Sequence, residues 1–544
     1  MRDRDRRRGE RRPRRLLPKG VRPPLPKIEL AAPIPEKPEV APPAQEAVPQ
    51  PTTTRPATGK DLWLVILLLI VAAVAFYPSL SGDFVWEDYP LVVDNPLVRS
   101  SADIAAVFAR PFLPDRPNSY HPLATLTYLT DYQVWRLNPV GYHTTNLTLH
   151  LVATLLVYAV AVLLLARRTT AVAAGLIFAV HPVHVQSVAW ISGRPQLLAT
   201  CLALFAVLAY AYYVGALEDR AKAPWRAWGY YWLAVLAFTL ALFAHAAAAA
   251  LLALLPLYEM TFARQRARAQ TGARFLLPYL GLAAGGALYL IARWWALGYR
   301  LAPGLDATAW PAHLYTFPVL AVRAIGLLLL PVKSQPYYAP TLIAGPLRAD
   351  FLVAAAALIV IIILVVRLRI ISAAAAFAAW WVLVALALSL NLIPVPPAAF
   401  WERDLYLPSV GIVVIIGSAF AGAGALAVKR KRSWLRAAVA AALAAAIGAG
   451  IVICWQRTAW YRDDLSLFRQ MVRAAPNLAF PHFNLGNAYM DAGMYQQAAE
   501  AFRAALSLAP GSAASADALL RALEAESGRW PSGPAPSAPA GRSP

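Results

Sequence analysis

Charge and cysteine are what this chain has least of. Of 544 residues only 15% are charged, and two are cysteine, Cys201 and Cys454. Both cysteines fall in or beside apolar runs, so no disulfide framework is expected and they say little about redox compartment. Scarce charge against 59% hydrophobic residues, with a mean hydropathy of +0.50, excludes an ordinary soluble multidomain protein. Acids are the scarcer sign: 29 Asp and Glu stand against 50 Lys and Arg, a net charge of +21. That excess would suit nucleic acid, but much of it lies in the first 60 residues and in short loops between apolar segments, where membrane topology puts it. No nucleic-acid partner is expected.

Apolar runs are what the chain has in abundance, many near the ~20 residues that cross a bilayer as a helix. Spans are expected at 62–79, 145–166, 170–183, 196–214, 230–244, 246–260, 275–297, 351–366, 371–390, 407–427 and 435–455. Arg167-Arg168, the Glu218–Arg226 loop, Arg264 to Arg274, Arg367/Arg369 and Lys429 to Arg432 are then cytoplasmic. With the N-terminus inside, eleven crossings satisfy these loops and leave the C-terminus outside. A further run, 314–331, breaks that parity and is expected to lie at or dip into the outer face. The expected fold is an all-α polytopic membrane protein.

Residues 1–60 hold 13 prolines and an opening Arg cluster, too little apolar surface to fold. They read as a disordered cytoplasmic tail that touches anionic headgroups, and are too long and basic for a cleavable signal peptide. Residues 61–455 form the membrane domain. In 456–527, Asn484-Leu485-Gly486-Asn487-Ala488-Tyr489, Gly493, Ala498, Phe502, Ala505-Leu506 and Pro510 follow the order of small and large residues of one tetratricopeptide repeat. Asp463 to Ala475 resembles half of a preceding repeat, and 513–527 could cap the stack. So short a stack needs the membrane domain for support. Residues 528–544 are Pro/Ser/Ala-rich and expected to be disordered.

Polar clusters recur on the outer side. After the first span comes Phe84-Val85-Trp86-Glu87-Asp88, an adjacent carboxylate pair beside lipid, which costs free energy unless it binds a cation, holds substrate or moves protons. His121 lies in the same loop, His181 and His184 lead to Arg194, and Trp401 precedes Glu402-Arg403-Asp404. Arginines suit an anionic phosphate, a carboxylate suits deprotonation of a hydroxyl, and a divalent metal could sit on Glu87 and Asp88. Each cluster also has a plain reading. Acids at a loop start often cap helices, arginines snorkel to headgroups, and two histidines three apart are too few for structural zinc.

The order of Phe84 to Asp88, Tyr120-His121-Pro122-Leu123, Gly141 to Asn146, His181-Pro182-Val183-His184, Trp190-Ile191-Ser192-Gly193-Arg194, Glu402 to Ser409 and the trailing repeat resembles the transmembrane-and-tetratricopeptide O-mannosyltransferase family. That family has the C fold of multi-pass glycosyltransferases and is related to protein O-mannosyltransferases. The resemblance implies a polyprenyl-phosphate sugar donor, an outer or luminal active site, and a base in the first outer loop. Carried over, Glu87 and Asp88 hold the catalytic positions. Arg403, Arg194, His245 and His121 hold the donor-phosphate and lipid positions, with His181, His184 and Glu402 in the pocket. Four motifs depart from the family pattern: Glu87 for an Asp, His121 for an Arg, Gln196 for an Asp, and Ala244-His245-Ala246 for Ser-Lys-Glu.

The reading is therefore transfer of a hexose, mannose by resemblance, from a polyprenyl phosphate to a hydroxyl of a protein, lipid or glycan, with no certain cofactor. One alternative is a catalytically reduced scaffold that binds protein partners through its repeat; another is a lipid or ion transporter. The Ala/Arg/Pro bias suggests a bacterial inner membrane, with the N-terminus cytoplasmic and the C-terminus periplasmic.

Overall fold

The computed structural model describes residues 59–113, 119–165, 167–218, 224–263, 273–298, 310–338, 342–390 and 400–528. The expectations for the first tail up to residue 58, for 529–544 and for most of the basic 264–274 loop lie outside the described residues. Among the described residues the chain is helical, apart from one isolated bridge between Tyr338 and Phe400. This is the all-α polytopic architecture that the apolar runs predict.

By length and composition, nine described helices could cross a membrane, or ten if the bent pair Thr170–Ala179 and Pro182–Val188 is one span. Ala246–Phe262 and Ala373–Ser389 are shorter apolar helices. Their surroundings confirm lipid as solvent. In Ala349–Ile371 only 11% of the most apolar window is buried, and Val353, Ile359, Ile363 and Leu364 face outward. Such a surface is untenable in water and ordinary in hydrocarbon.

One of the nine, Pro311–Leu329, falls on the run 314–331. Near its start, the Thr316 hydroxyl accepts from the Ile343 N–H at 2.9 Å, and Tyr315 meets Phe351 at 5.3 Å. Midway, Arg323 stacks on Tyr338 at 4.4 Å. Near its end the Leu328 carbonyl bonds His181 at 2.9 Å, which brings that end to one face of the helices. The described helices fit about eleven crossings.

That face is also where the first loop meets the C-terminal helices. The Asp83 N–H donates to the Arg462 carbonyl at 2.9 Å, and the Trp86 N–H to Asp464 Oδ1 at 2.9 Å. We call it the loop face. The helices Asp464–Ala474, Ala479–Asp491, Tyr495–Leu508 and Ala513–Glu526 stack on it around Phe483, Ala498, Phe502, Ala505 and Ala522. A Cβ on Gly486 would meet the Phe502 ring at 2.5 Å, so this crossing requires glycine. Gly493 has φ +70, the left-handed conformation that reverses the chain between the middle two helices.

Opposed faces give a direct test. Cys201 and Cys454 are buried, so a thiol placed at exposed Ser507 or exposed Ser433 reports alone. In sealed vesicles a membrane-impermeant maleimide should label one of Ser507→Cys and Ser433→Cys and not the other. Equal labelling of both from one side would overturn this topology.

Candidate active site

The site is built on a tight turn. Val85–Asp88 closes through the Asp88 N–H donating to the Val85 carbonyl at 2.9 Å, and Asp88 Oδ2 accepts from the Val85 N–H at 3.0 Å. Asp88 Oδ1 accepts from the Ser192 N–H at 2.8 Å, tying the turn to the segment before helix Arg194–Glu218. Both Asp88 oxygens thus hold backbone, and burial keeps its carboxyl well above the usual carboxylate range. Trp86, inside the turn, has φ 45. A left-handed backbone at a bulky residue costs about 1–3 kcal/mol and persists only where its surroundings fix it.

Glu87 is thereby presented to Arg403. Its Oε2 accepts from Arg403 Nη1 at 2.9 Å and from the Ser192 hydroxyl at 3.2 Å. The Arg403 guanidinium lies against two neighbouring indoles, 4.8 Å from the Trp190 ring centre and 4.9 Å from that of Trp401. Its own backbone N–H donates to Gln186 Oε1 at 2.8 Å. Ser192 and Gln186 approach so closely here that a Cβ on Gly193 would meet the Gln186 carbonyl oxygen at 2.6 Å. The glycine is therefore a requirement of packing.

Beyond Arg403 lies a second polar group. Gln196 Nε2 donates to Asp404 Oδ1 at 3.1 Å and lies 3.4 Å from His245 Nε2. His245 stacks on His121 with ring centres 5.0 Å apart and planes 8° apart. Three positions that depart from the family pattern, 121, 196 and 245, therefore meet in one place. Burial, followed by the charges of His245, Arg293 and Arg403, pushes His121 well below the usual imidazole value. Burial, helped by Arg403, lowers His245 to about 4. Both rings are neutral at pH 7. His121 Nδ1 and Gln196 Oε1 are buried without a hydrogen-bond partner.

Other residues expected here are elsewhere or otherwise engaged. Arg194 is fully buried and uses all three guanidinium nitrogens. Nε donates to Asn146 Oδ1 at 2.8 Å, Nη2 to the Tyr142 carbonyl at 2.9 Å, and Nη1 pairs with Asp131 at 2.5 Å. With Tyr128 stacked at 4.5 Å, it is a structural cation rather than a phosphate ligand. His181 bonds the Leu328 carbonyl at 2.9 Å, and its Nδ1 accepts from the Val183 N–H at 3.3 Å. His184 bonds the Phe178 carbonyl at 3.0 Å and the Ser409 hydroxyl at 2.9 Å. Neither histidine faces the Glu87–Arg403 pair. Glu402 adjoins the site but holds the 331–338 segment, accepting from the Gln335 N–H at 2.9 Å and from the Tyr338 hydroxyl. Among the described residues no three His, Cys, Asp or Glu gather as a metal site.

Reading the sequence missed Asp131, Gln186, Ser192 and Asp464. Ser192 and Gln186 lie in or beside quoted motifs but are common polar types with no spacing of their own. Asp464 follows Asp463, and the adjacent pair reads as a helix N-cap. Asp463 does cap, accepting from the Ser466 N–H at 2.7 Å.

Two outcomes follow from these environments. Arg194→Gln leaves Asp131 buried and unpaired, a change that costs about 3–5 kcal/mol. It should lower the thermal midpoint sharply while folded protein binds polyprenyl phosphate as the parent does; weaker binding at unchanged stability would return Arg194 to the site. Asp464 is raised from 3.8 to about 7, first by burial, then by Asp491, Asp463 and Asp83. Between those values the folded state keeps a proton that the unfolded chain loses, so stability falls as pH rises through the window. The thermal midpoint should drop from about pH 5 to about pH 7, and less so in Asp464→Asn. Parallel slopes in the two proteins would discount this group.

Similarity to known proteins fits the arrangement. A tetratricopeptide-repeat model matches residues 479–512. The chain is 33% identical over 153 residues to a protein O-mannosyl-transferase of Caenorhabditis elegans, covering 26% of this chain and 22% of that protein. It is 34% identical over 152 residues to protein O-mannosyl-transferase TMTC3 of Mus musculus, covering 27% and 16%. With protein O-mannosyl-transferase TMTC1 of Mus musculus the identity is 37% over 152 residues, covering 26% and 16%. The matches thus span 16–22% of the length of these relatives. They are the transmembrane-and-tetratricopeptide O-mannosyltransferases that the motifs resemble, and this integral membrane chain is their homologue.

Proposed function

We propose that the protein is a membrane mannosyltransferase that moves mannose from a polyprenyl phosphate to a hydroxyl acceptor at the loop face. The observation that carries this is the Glu87–Arg403 pair, 2.9 Å apart, with Arg403 packed against Trp190 and Trp401. Arg403 Nη1 meets Glu87 and Ser192, while its Nε and Nη2 have no protein acceptor among the described residues. Two donors of one planar fork are what a phosphate takes from an arginine. By contrast, Arg194 has no donor nitrogen left over.

In this reading the donor phosphate binds Arg403, which loosens its hold on Glu87. Glu87 then takes the proton of the acceptor hydroxyl as that oxygen bonds C1 of the sugar. The C1–O bond to phosphate breaks, its electron pair stays on the phosphate, and Arg403 stabilises the charge that builds there. Asp88 shapes the turn and Glu87 is the base, because both Asp88 oxygens hold amides. His121, Gln196, His245 and Asp404 form the neighbouring wall, whose unpartnered His121 Nδ1 and Gln196 Oε1 suit sugar hydroxyls. Arg293 acts on His121 in this wall, so fixed positive charge near the site comes from Arg293 as well as Arg403.

The acceptor is a protein hydroxyl in this reading, as the relatives' names state of them. The loop face is the non-cytoplasmic side, since the basic loops belong inside. In this reading the Ala/Arg/Pro bias is that of a bacterial inner-membrane protein, with this face periplasmic. The domains divide near residues 60, 455 and 527, and the repeat unit offers a surface to a protein partner.

Release of polyprenyl phosphate from polyprenyl-phosphate mannose tests the reading. Glu87→Gln should lower turnover by about 100-fold or more, the scale of a lost general base. Asp88→Asn, which keeps one acceptor and loses the other, should cost stability as well as turnover. Arg403→Lys should weaken donor binding less than Arg403→Ala. Full activity in Glu87→Gln would move the base elsewhere, and no release by the parent protein would leave the scaffold reading.

A further inference from the structure

Trp86 is one of three described non-glycine residues with a left-handed backbone, alongside Arg136 and Lys431. It directly precedes Glu87, so its backbone sets where the Glu87 side chain starts. A bulky aromatic residue does not hold this conformation unaided. Its amide is held from outside the membrane domain: the Trp86 N–H donates to Asp464 Oδ1 at 2.9 Å, across 378 residues of sequence. Its ring is held from the same side, 5.8 Å from Phe468 and 5.8 Å from Phe480, with Trp190 stacked at 5.6 Å. Asp464 opens the helix Asp464–Ala474, and Phe480 lies in the next helix, Ala479–Asp491.

We propose that Asp464 is a positioning residue for Glu87, and that the C-terminal helical unit is a working part of the site rather than an appended binding module. Asp464 supplies the acceptor that keeps the Val85–Asp88 turn left-handed at Trp86. The turn in turn keeps Glu87 against Arg403. Without that acceptor, the Trp86 amide loses its bond to Asp464 in a conformation that the ring disfavours, and the turn relaxes toward a right-handed backbone. Glu87 then leaves the 2.9 Å contact with Arg403. The inference rests on Glu87 being the base of the proposed transfer.

A residue that merely fastens the helical unit would affect stability without altering catalysis by the folded protein. The two roles separate in full-length protein purified in detergent, by hydrogen exchange of the segment around 83–91 and by steady-state release of polyprenyl phosphate from polyprenyl-phosphate mannose. Asp464→Asn keeps an oxygen acceptor and should exchange and turn over like the parent. Asp464→Ala should exchange faster at 83–91 while helix Pro139–Leu165 stays protected. It should lose about 10- to 100-fold in kcat with little change in donor KM, the effect of a misplaced group. Should Asp464→Ala fail to fold, Asp464→Glu moves the acceptor by a methylene and should fall below Asp464→Asn in kcat. The inference is overturned by unchanged exchange in Asp464→Ala, by faster exchange at undiminished kcat, or by Asp464→Asn performing no better than Asp464→Ala or Asp464→Glu. If the parent releases no polyprenyl phosphate, the transferase reading fails, while the exchange comparison still decides whether Asp464 holds the turn.

Discussion

A guanidinium buried against two indoles, with a carboxylate at one end, is the constraint around which this structure is arranged. Removing Arg403 and Glu87 from water costs several kcal/mol per ion unless each is paired and hydrogen-bonded. The surroundings meet that demand. Ser192 bonds Glu87 and lies 3.3 Å from Arg403 Nη1, Gln186 fixes the Arg403 backbone, and Trp190 and Trp401 place π faces on the cation. Three of these groups come from the single stretch 186–192, and Trp401 lies two residues before Arg403.

Much of the loop face follows from that demand. Gly193 lets the 191–193 segment come close enough for Ser192 to reach the pair, and the Ser192 amide holds Asp88 in place. Glu402, one residue before Arg403, fixes the 331–338 segment, and Arg457 bonds Ser334 and the Pro331 carbonyl from the opposite side. The surface helix Trp310–Leu329 is pinned as a consequence, because Leu328 bonds His181 and Arg323 covers Tyr338. The C-terminal helices close the arrangement over Trp86.

Two arginines show how placement rather than residue type separates scaffold from site. Arg194 and Arg403 both stack on aromatic rings and both pair with a carboxylate. Arg194 has every nitrogen bonded within the protein, so it cross-links helices Pro122–Trp135, Pro139–Leu165 and Arg194–Glu218. Arg403 bonds side chains through Nη1 alone among the described residues. The stacked pair His121 and His245 shows the same principle for charge: burial keeps both rings neutral, so they offer hydrogen bonds where cations would offer charge.

Apolar runs of helical length determine membrane spans because hydrocarbon leaves a backbone few alternatives, so the all-helical polytopic fold was legible in the sequence. The Gly486–Phe502 crossing was legible as well, since a repeat encodes its close contact at fixed spacing. Glu87 and Arg403 could be picked out as charges beside lipid, and Trp401 from its place next to them. Their pairing could not, because the partners are 316 residues apart and only packing brings them within 2.9 Å. For the same reason Arg194 looked like a phosphate ligand and Asp88 like a second base, and Asp464 was not singled out. Sequence by itself determined which residues must leave water and where the chain crosses lipid, since both depend on local composition. Tertiary structure alone decided which buried charges satisfy one another and which keep donors for a ligand, since a hydrogen bond depends on distances that no local pattern sets.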